Sequence, residues 1–380
     1  MLATDYPLPA ARAAMADLKR ALDQYRSARK AKYGIYLEDL HSGLIIDLDG
    51  RAPYTAAGAM TFPVALYVFA QVAAGRLSLE AQVEYLPEDR TGGTGVIQAA
   101  PFGSQYTLKQ LCYHAIVDAD TVAWRMLYRT LGEPAVKEWL RSICGEHAAP
   151  GKNVASPADF AAYYKFLLEF VDRQPGLAGV LLEWLKKSGN PSWAPRALPR
   201  AVPMAHKTGL WPTALTDAGI VFLPRQPYLL CIMSDLSRDI SLGQAVDDIA
   251  RLGAIAFQAL RPMAGTFVAV YRNSRRMQTR LPVALTGGQI MIGLEDLAGA
   301  LGAQLQHDHC SRTATLVRDE RTVVLRQDHP LMQVGGEARS LPRAPLRFEE
   351  HLIVPLRTVA EALGVRVDWD PERYRVLLTI

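Results

Sequence analysis

Cysteine is scarce in this chain. There are four, Cys112, Cys144, Cys231 and Cys310, and no two of them form a CxxC pair. That excludes a small disulfide-stapled scaffold and a cysteine-rich zinc module. Three of the four lie in apolar runs, where a thiol is expected to act as a small buried hydrophobe, and no disulfide is expected. An excess of one charge is also missing. The 42 Lys and Arg stand against 38 Asp and Glu, a net +4 too small and too dispersed to imply a nucleic-acid or membrane-surface partner. The densest basic run, RNSRRMQTR from Arg272, sits between strand-like segments and reads as a solvated hairpin rather than a phosphate patch. No continuous apolar leader opens the chain, because MLATDYPLPAARAAMADLKRAL carries charges throughout. Either a cytoplasmic protein or one whose export signal has been removed is therefore expected, and the compartment stays open. The longest apolar stretch, 56–75, approaches membrane-spanning length, but Pro63 and Gln71 mark it as a buried helix, so no transmembrane segment is expected.

What is present is enough apolar material, 49% of 380 residues, for two domains of ordinary size. In the first segment Ala14, Leu18, Leu22 and Tyr25 recur at helical spacing. YGIYLEDLHSGLIIDLDG then reads as a β-hairpin around a His-Ser-Gly turn. A buried helix from about Pro63, a Gly-rich loop RTGGTG, a helix near Thr107 and further helices to about Lys187 follow. After Pro203, three short β-rich runs read as an antiparallel meander, and GQAVDDIARLGAIAFQAL reads as a closing helix. The expectation is one α+β domain over 1–262, its terminal helices covering one face of an antiparallel sheet and its middle forming a helical subdomain.

Residues 263–380 contain an internal repeat. QIMIGLEDLAGALGAQLQHD from Gln289 aligns without a gap on HLIVPLRTVAEALGVRVDWD from His351, an offset of 62. Each copy reads as strand, short helix with a Gly C-cap, then strand, and the two are expected to pack into one small α+β domain.

The most informative stretch is TAAGAMTFPVAL at 55–66. Together with AIVDADTVAWRML and HKTG followed by TDAGIVFLP, in that order, it makes the first segment resemble the serine β-lactamase and penicillin-binding-protein family, especially the class A β-lactamases. That family carries a Ser three residues before a Lys at a buried helix, a Ser-Asp-Asn triplet and a Lys-Thr-Gly strand. By this resemblance Gly58 stands at the nucleophile position and Thr61 at the lysine position. Ala119, Asp120 and Thr121 stand at the triplet. Lys207, Thr208 and Gly209 keep the third motif.

Acyl transfer needs an oxygen nucleophile with a base in reach. Gly58 offers no side-chain atom, Thr61 no charge and Ala119 no hydroxyl, and Glu146 stands outside the local pattern expected of a deacylating glutamate. No catalytic residue is therefore assigned, and an inactive member of the family is expected. Lys207, Thr208, Gly209 and Asp120 form its candidate ligand set, with a peptidoglycan-like peptide or a small carboxylate as the ligand class. In this reading Lys207 is fully protonated at neutral pH and draws an anion from solvent. The alternatives are an active enzyme with a relocated nucleophile, Thr55 or Thr61, and a scaffold without ligand.

The repeat resembles the small domain named after the N-terminal region of copper amine oxidases, most closely in IVPLRTVAEALGVRVDWD. That resemblance implies a binding or assembly module at the cell envelope, open to a protein partner. It implies no metal and no cofactor. In QHDHC, the residues His307, His309 and Cys310 could chelate an ion only if strand alternation brought them to one face.

Overall fold

The computed structural model describes residues 6–143, 145–188, 194–236, 240–308 and 310–380. Cys144 and His309, both singled out above, lie outside the described residues. The chain opens with helix α1 (Leu8–Ser27), then strands β1 (Lys32–Asp39), β2 (Ile45–Leu48) and β3 (Tyr54–Thr55). A 3-10 turn (Ala57–Met60) leads into α2 (Thr61–Ala73). The short strands β4 (Gln82–Glu84) and β5 (Gln105–Thr107) frame the Gly-rich loop, and α3 (Leu108–Val117), α4 (Thr121–Leu131) and α5 (Glu133–Ser142) follow. After β6 (Val154–Ala155) come α6 (Pro157–Arg173) and α7 (Pro175–Lys186), then β7 (Met204–Trp211), β8 (Ala214–Val221), β9 (Tyr228–Asp235) and α8 (Leu242–Leu260).

The sheet has the antiparallel order β2-β1-β9-β8-β7, so the expected hairpin and meander join into one surface. Alternation along the strands divides the core in two. Ile35 and Leu37 of β1 with Leu230 and Ile232 of β9 face Leu18 and Leu22 of α1 and Ile249 and Leu252 of α8. Their neighbours Tyr36, Leu229, Cys231 and Met233 face the helical body that contains α2, α3, α6 and α7. The sheet is covered on both faces, which is why β9 reads as a continuous apolar run. Side-chain caps start the helices: Thr107 caps α3, Asp120 α4, Ser156 α6 and Ser241 α8. Among the described residues no helix is long and apolar enough to cross a membrane, and nine of the thirteen residues of α2 are buried, six of them in the core on the helical-body side of the sheet.

The C-terminal part begins with the hairpin β10 (Ala269–Arg272) and β11 (Arg275–Arg276), turned by Asn273 and Ser274 at positive φ. Arg272 and Arg275 are exposed, as a solvated hairpin requires. Arg276 is half-buried and donates to Leu40 O, an exception the basic run does not announce. The first repeat copy comprises β12 (Ala284–Thr286), β13 (Gln289–Gly293), α9 (Leu294–Leu301), β14 (Gln304–Asp308) and β15 (Thr313–Arg318). Strands β16 (Arg321–Arg326), β17 (Leu331–Val334) and β18 (Glu337–Ser340) extend it as an antiparallel sheet. The second copy is β19 (Leu346–Phe348), β20 (His351–Pro355), α10 (Leu356–Ala362), β21 (Arg366–Asp370) and β22 (Arg375–Thr379).

The copies share one topology and pair with each other in the sheet order β12-β13-β20-β19. Ile292 pairs with Val354, its own equivalent at the 62-residue offset, and Met291↔Pro355 and Gly293↔Ile353 flank that pair symmetrically. A local two-fold therefore relates the copies. They share an apolar core containing Leu294, Leu301, Leu356 and Leu363. The core on the α1 side of the large sheet continues into this part through Phe267, Met291, Phe348 and Ile353. Tyr6 reinforces that seam, its ring centroid 4.9 Å from that of Phe348.

Both repeat helices end at a glycine in the left-handed region, Gly302 at φ +66° and Gly364 at φ +77°. A Cβ added at Gly302 would meet nothing within 4 Å, so substitution there tests conformation alone. Gly302→Ala is expected to cost about 1 kcal/mol through the left-handed penalty. Chemical denaturation monitored on the full chain should show that fall, and an unchanged midpoint would contradict the C-cap assignment.

Candidate functional site

The stretch expected to carry the site is a backbone construction. Strand β3 pairs with β6, Tyr54 opposite Ala155 and Thr55 opposite Val154, and Ala56 N donates to Asn153 O at 3.0 Å. Ala57 then takes φ +49°, an unusual conformation for alanine that a clamped neighbourhood must hold. Asn153 Nδ2 supplies part of that clamp by donating to Ala57 O at 3.2 Å. Thr61 is buried, and its hydroxyl donates to Gly58 O at 2.9 Å, closing the turn. Phe62 stacks on Tyr164 with centroids 4.3 Å apart, which fixes the start of α2 against α6.

Strand β7, at the edge of the sheet, runs directly beside this turn. A Cβ built at Gly58 would lie 3.7 Å from Thr208 O and 3.9 Å from Gly209 Cα, ordinary contact distances. Gly58 thus faces the second and third residues of the Lys-Thr-Gly motif with room for a side chain. The reverse is not true. A Cβ at Gly209 would come within 2.3 Å of Ala56 O and 2.7 Å of Ala59 N, so only glycine lets the strand approach this closely.

Lys207 is not the open cation expected from the sequence. It is 1% exposed, and Nζ donates to Thr208 O at 3.2 Å. Loss of solvent drives its pKa down to about 8 against the upward pull of the Asp217 carboxylate. An anion in solvent therefore does not meet this ammonium at the surface. Behind it lies a pair that the sequence reading left unweighed: His206 Nδ1 is 2.7 Å from Asp217 Oδ1, both residues are buried, and Asp217 Oδ2 accepts from Ala194 N at 3.0 Å.

Ala119, Asp120 and Thr121 are brought together with the Gly-rich loop. Asp120 Oδ1 accepts from Val122 N and Ala123 N at 2.8 and 2.9 Å, and Oδ2 from Val96 N and Ile97 N at 2.7 and 2.8 Å. Both oxygens of this fully buried carboxylate are filled by backbone N–H groups, and Asp120 ties the start of α4 to the Gly-rich loop. The Thr94 hydroxyl donates to Ala119 O at 2.6 Å, and Thr121 Oγ1 donates to Thr94 O at 3.2 Å. Glu146 is directed to Arg51, at 3.3 Å, with its side chain largely in solvent. In the C-terminal part His307 Nε2 faces Glu295 at 3.6 Å, Cys310 is exposed, and no three His, Cys, Asp or Glu side chains that could hold a metal gather among the described residues.

Two outcomes follow from the turn and the lysine. Gly209→Ala should lower stability by more than about 3 kcal/mol, as overpacking against backbone does at the upper end, whereas Gly58→Ser should leave the thermal midpoint nearly unchanged. Equal effects would contradict the one-sided contact. For Lys207, folding holds a charged amine in a dry site at every pH below about 8. Between that value and its unfolded pKa the native state sheds the proton while the unfolded chain keeps it, so stability rises with pH across that window. Lys207→Met should therefore stabilise the protein at pH 7 by on the order of 2 kcal/mol, a gain that fades by pH 10.5. Urea denaturation at the two pH values measures it, and a gain independent of pH would rule out the buried ammonium.

Comparison with known proteins agrees with this fold. The profile of the family described as "Beta-lactamase enzyme family" matches residues 15–260, and that of "Copper amine oxidase N-terminal domain" matches residues 271–378. Over 118 residues the chain is 21% identical to Beta-lactamase VEB-1 of Pseudomonas aeruginosa, covering 30% of this chain and 40% of that protein. The chain thus spans less than half the length of this curated relative. Among solved structures, a mutant of PBP-A in an acyl-enzyme complex with penicillin G superposes with a TM-score of 0.59 at 23% identity, covering 65% of this chain and 97% of that one. An ancestral class A β-lactamase gives 0.58 at 23%, covering 64% and 99%. The β-lactamase of Sphaerobacter thermophilus gives 0.58 at 22%, covering 64% and 97%. At such identities the likeness is one of fold. The profile match, which takes in well over half of the residues, goes further: the chain belongs to the beta-lactamase enzyme family and carries a copper amine oxidase N-terminal domain behind it.

Proposed function

We propose that this protein is a pseudoenzyme of its family, a binding protein that has given up acyl transfer. The observation that carries the reading is Gly58: the position that faces Thr208 and Gly209 at contact distance has no side chain. The neighbouring hydroxyl offers no replacement nucleophile, because Thr61 spends its proton on Gly58 O at 2.9 Å. A threonine without an adjacent base is a poor nucleophile at neutral pH. The ligand class is a peptidoglycan-like or other carboxylate-bearing peptide, laid along the edge strand β7 by strand addition. Leu210 and Trp211, half or more exposed at the end of β7, are then its apolar contacts. Lys207 supports the strand from inside rather than meeting the ligand. In this reading the chain divides into units 1–262 and 263–380, and the second engages a protein partner at the cell envelope.

The purified protein is expected neither to hydrolyse a chromogenic cephalosporin nor to gain mass on incubation with a fluorescent penicillin. Stoichiometric labelling in intact-mass spectra would overturn the reading and locate the reacting residue. Titration with an acetylated D-Ala-D-Ala peptide should show saturable binding that Trp211→Ala weakens at least fivefold. Identical titrations for the two proteins would remove β7 as the ligand edge.

A further inference from the structure

A second concavity, independent of the Gly58 turn, lies where the two parts of the chain meet. It encloses about 850 Å³, within the roughly 300–1,000 Å³ usual for small-molecule sites. Its walls come from the turn after β1, from α6 and α7, from the β8–β9 loop, and from the C-terminal part at the β10–β11 hairpin and the start of β22. Neither part closes it alone.

The lining combines apolar and charged side chains. Leu168 and Val171 of α6, Val180 of α7 and Phe222 supply the apolar surface. Seven Lys and Arg against five Asp and Glu line the whole cavity, and three of the acids are already matched. Glu38 holds Lys165 at 3.0 Å, Asp172 holds Arg375 at 2.9 Å and Glu183 holds Lys186 at 2.7 Å.

Arg225 and Arg276 make no ion pair among the described residues. The Arg276 guanidinium donates to Leu40 O, and that of Arg225 lies 5.6 Å from the centre of the Tyr374 ring. His41 joins the same corner, its Nδ1 3.1 Å from Arg225 O. The acid behind them, Asp39, is fully buried and occupied by His41 N, the Ser42 hydroxyl and Gln226 Nε2. It offers the two arginines no partner. The corner therefore holds two guanidinium groups without an ion-pair partner among the described residues, in a cavity that also has aliphatic lining.

We propose that this cavity binds an amphipathic carboxylate, with its head at Arg225 and Arg276 and its aliphatic body along Leu168, Val171, Val180 and Phe222. Guanidinium groups suit a carboxylate through paired N–H donors, and the aliphatic wall suits a hydrocarbon body through burial. Such a ligand touches both parts of the chain at once and so tightens their association. The proposal does not depend on whether the Gly58 site is inactive.

The test uses the full-length protein and two probes of equal chain length, dodecanoate and dodecanol, each titrated by displacement of the fluorescent anion 1-anilinonaphthalene-8-sulfonate. Dodecanoate is expected to displace it saturably and at least tenfold more tightly than dodecanol. Arg225→Gln combined with Arg276→Gln should abolish that preference while sparing the alcohol. Gly179→Phe provides a second, fold-preserving probe. Gly179 lines the cavity from α7, nothing lies within 4 Å of a Cβ built on it, and a helical glycine loses no stability on replacement. The ring should fill the void and weaken dodecanoate at least tenfold without lowering the thermal midpoint. Absence of displacement, equal affinities for acid and alcohol, or undiminished binding by a folded Gly179→Phe variant would each overturn the assignment.

Discussion

The contact between Gly209 and the turn at Ala56–Ala59 organises the first part of the molecule. It is a contact of backbone on backbone, and it brings the edge of the sheet against the entry to α2 more closely than any residue with a Cβ allows. Everything that supports it is equally independent of catalytic side chains: the β3–β6 pairing, the Asn153 clamp, the Thr61 hydroxyl and the Phe62–Tyr164 stack. Serine and lysine at positions 58 and 61 are not needed to hold the turn. The turn is thus held by backbone pairing and packing, and its geometry does not depend on catalytic side chains standing at positions 58 and 61.

Polar groups behind that contact follow the same logic. His206, Lys207 and Asp217 are all buried, and each has a named partner within hydrogen-bond reach. A lysine ammonium held in a dry site costs stability. Lys207 is thus retained at an expense that an apolar side chain of similar length would recover.

Much of this was legible in the sequence. Apolar and β-rich runs bounded by turn residues located β1, β2 and β7 to β9, because strands covered on both faces are buried along most of their length. Apolar residues at helical spacing located α1 and α8, because burial against a single partner surface imprints its period on the chain. The repeat was legible because its two copies kept one spacing from Gln289 to Asp308 and from His351 to Asp370. What escaped were properties fixed by distant chain segments. Lys207 read as an exposed cation because nothing local says that a turn 150 residues upstream lies across its strand. Asp120 read as a ligand contact, although an acidic residue directly before an apolar helix is equally an N-cap signal, and its second oxygen is filled by a loop more than 20 residues away. Arg276 was lost inside a basic run, and its half-burial depends on the turn after β1, 236 residues earlier. The cavity between the two parts has no signature in either part alone.

The self-complementary pairing of the repeat has a consequence for how this module could be made or unmade. Ile292 and Val354 meet across a local two-fold, so each copy presents the edge that its own duplicate would accept. A fragment holding one copy would expose an unpaired strand with the right register to capture a second such fragment, rebuilding the four-stranded sheet as a homodimer. Joining the copies in one chain turns that association into an intramolecular one, which closes the edge at any protein concentration and leaves the outward strands β12 and β19 as the sheet's borders.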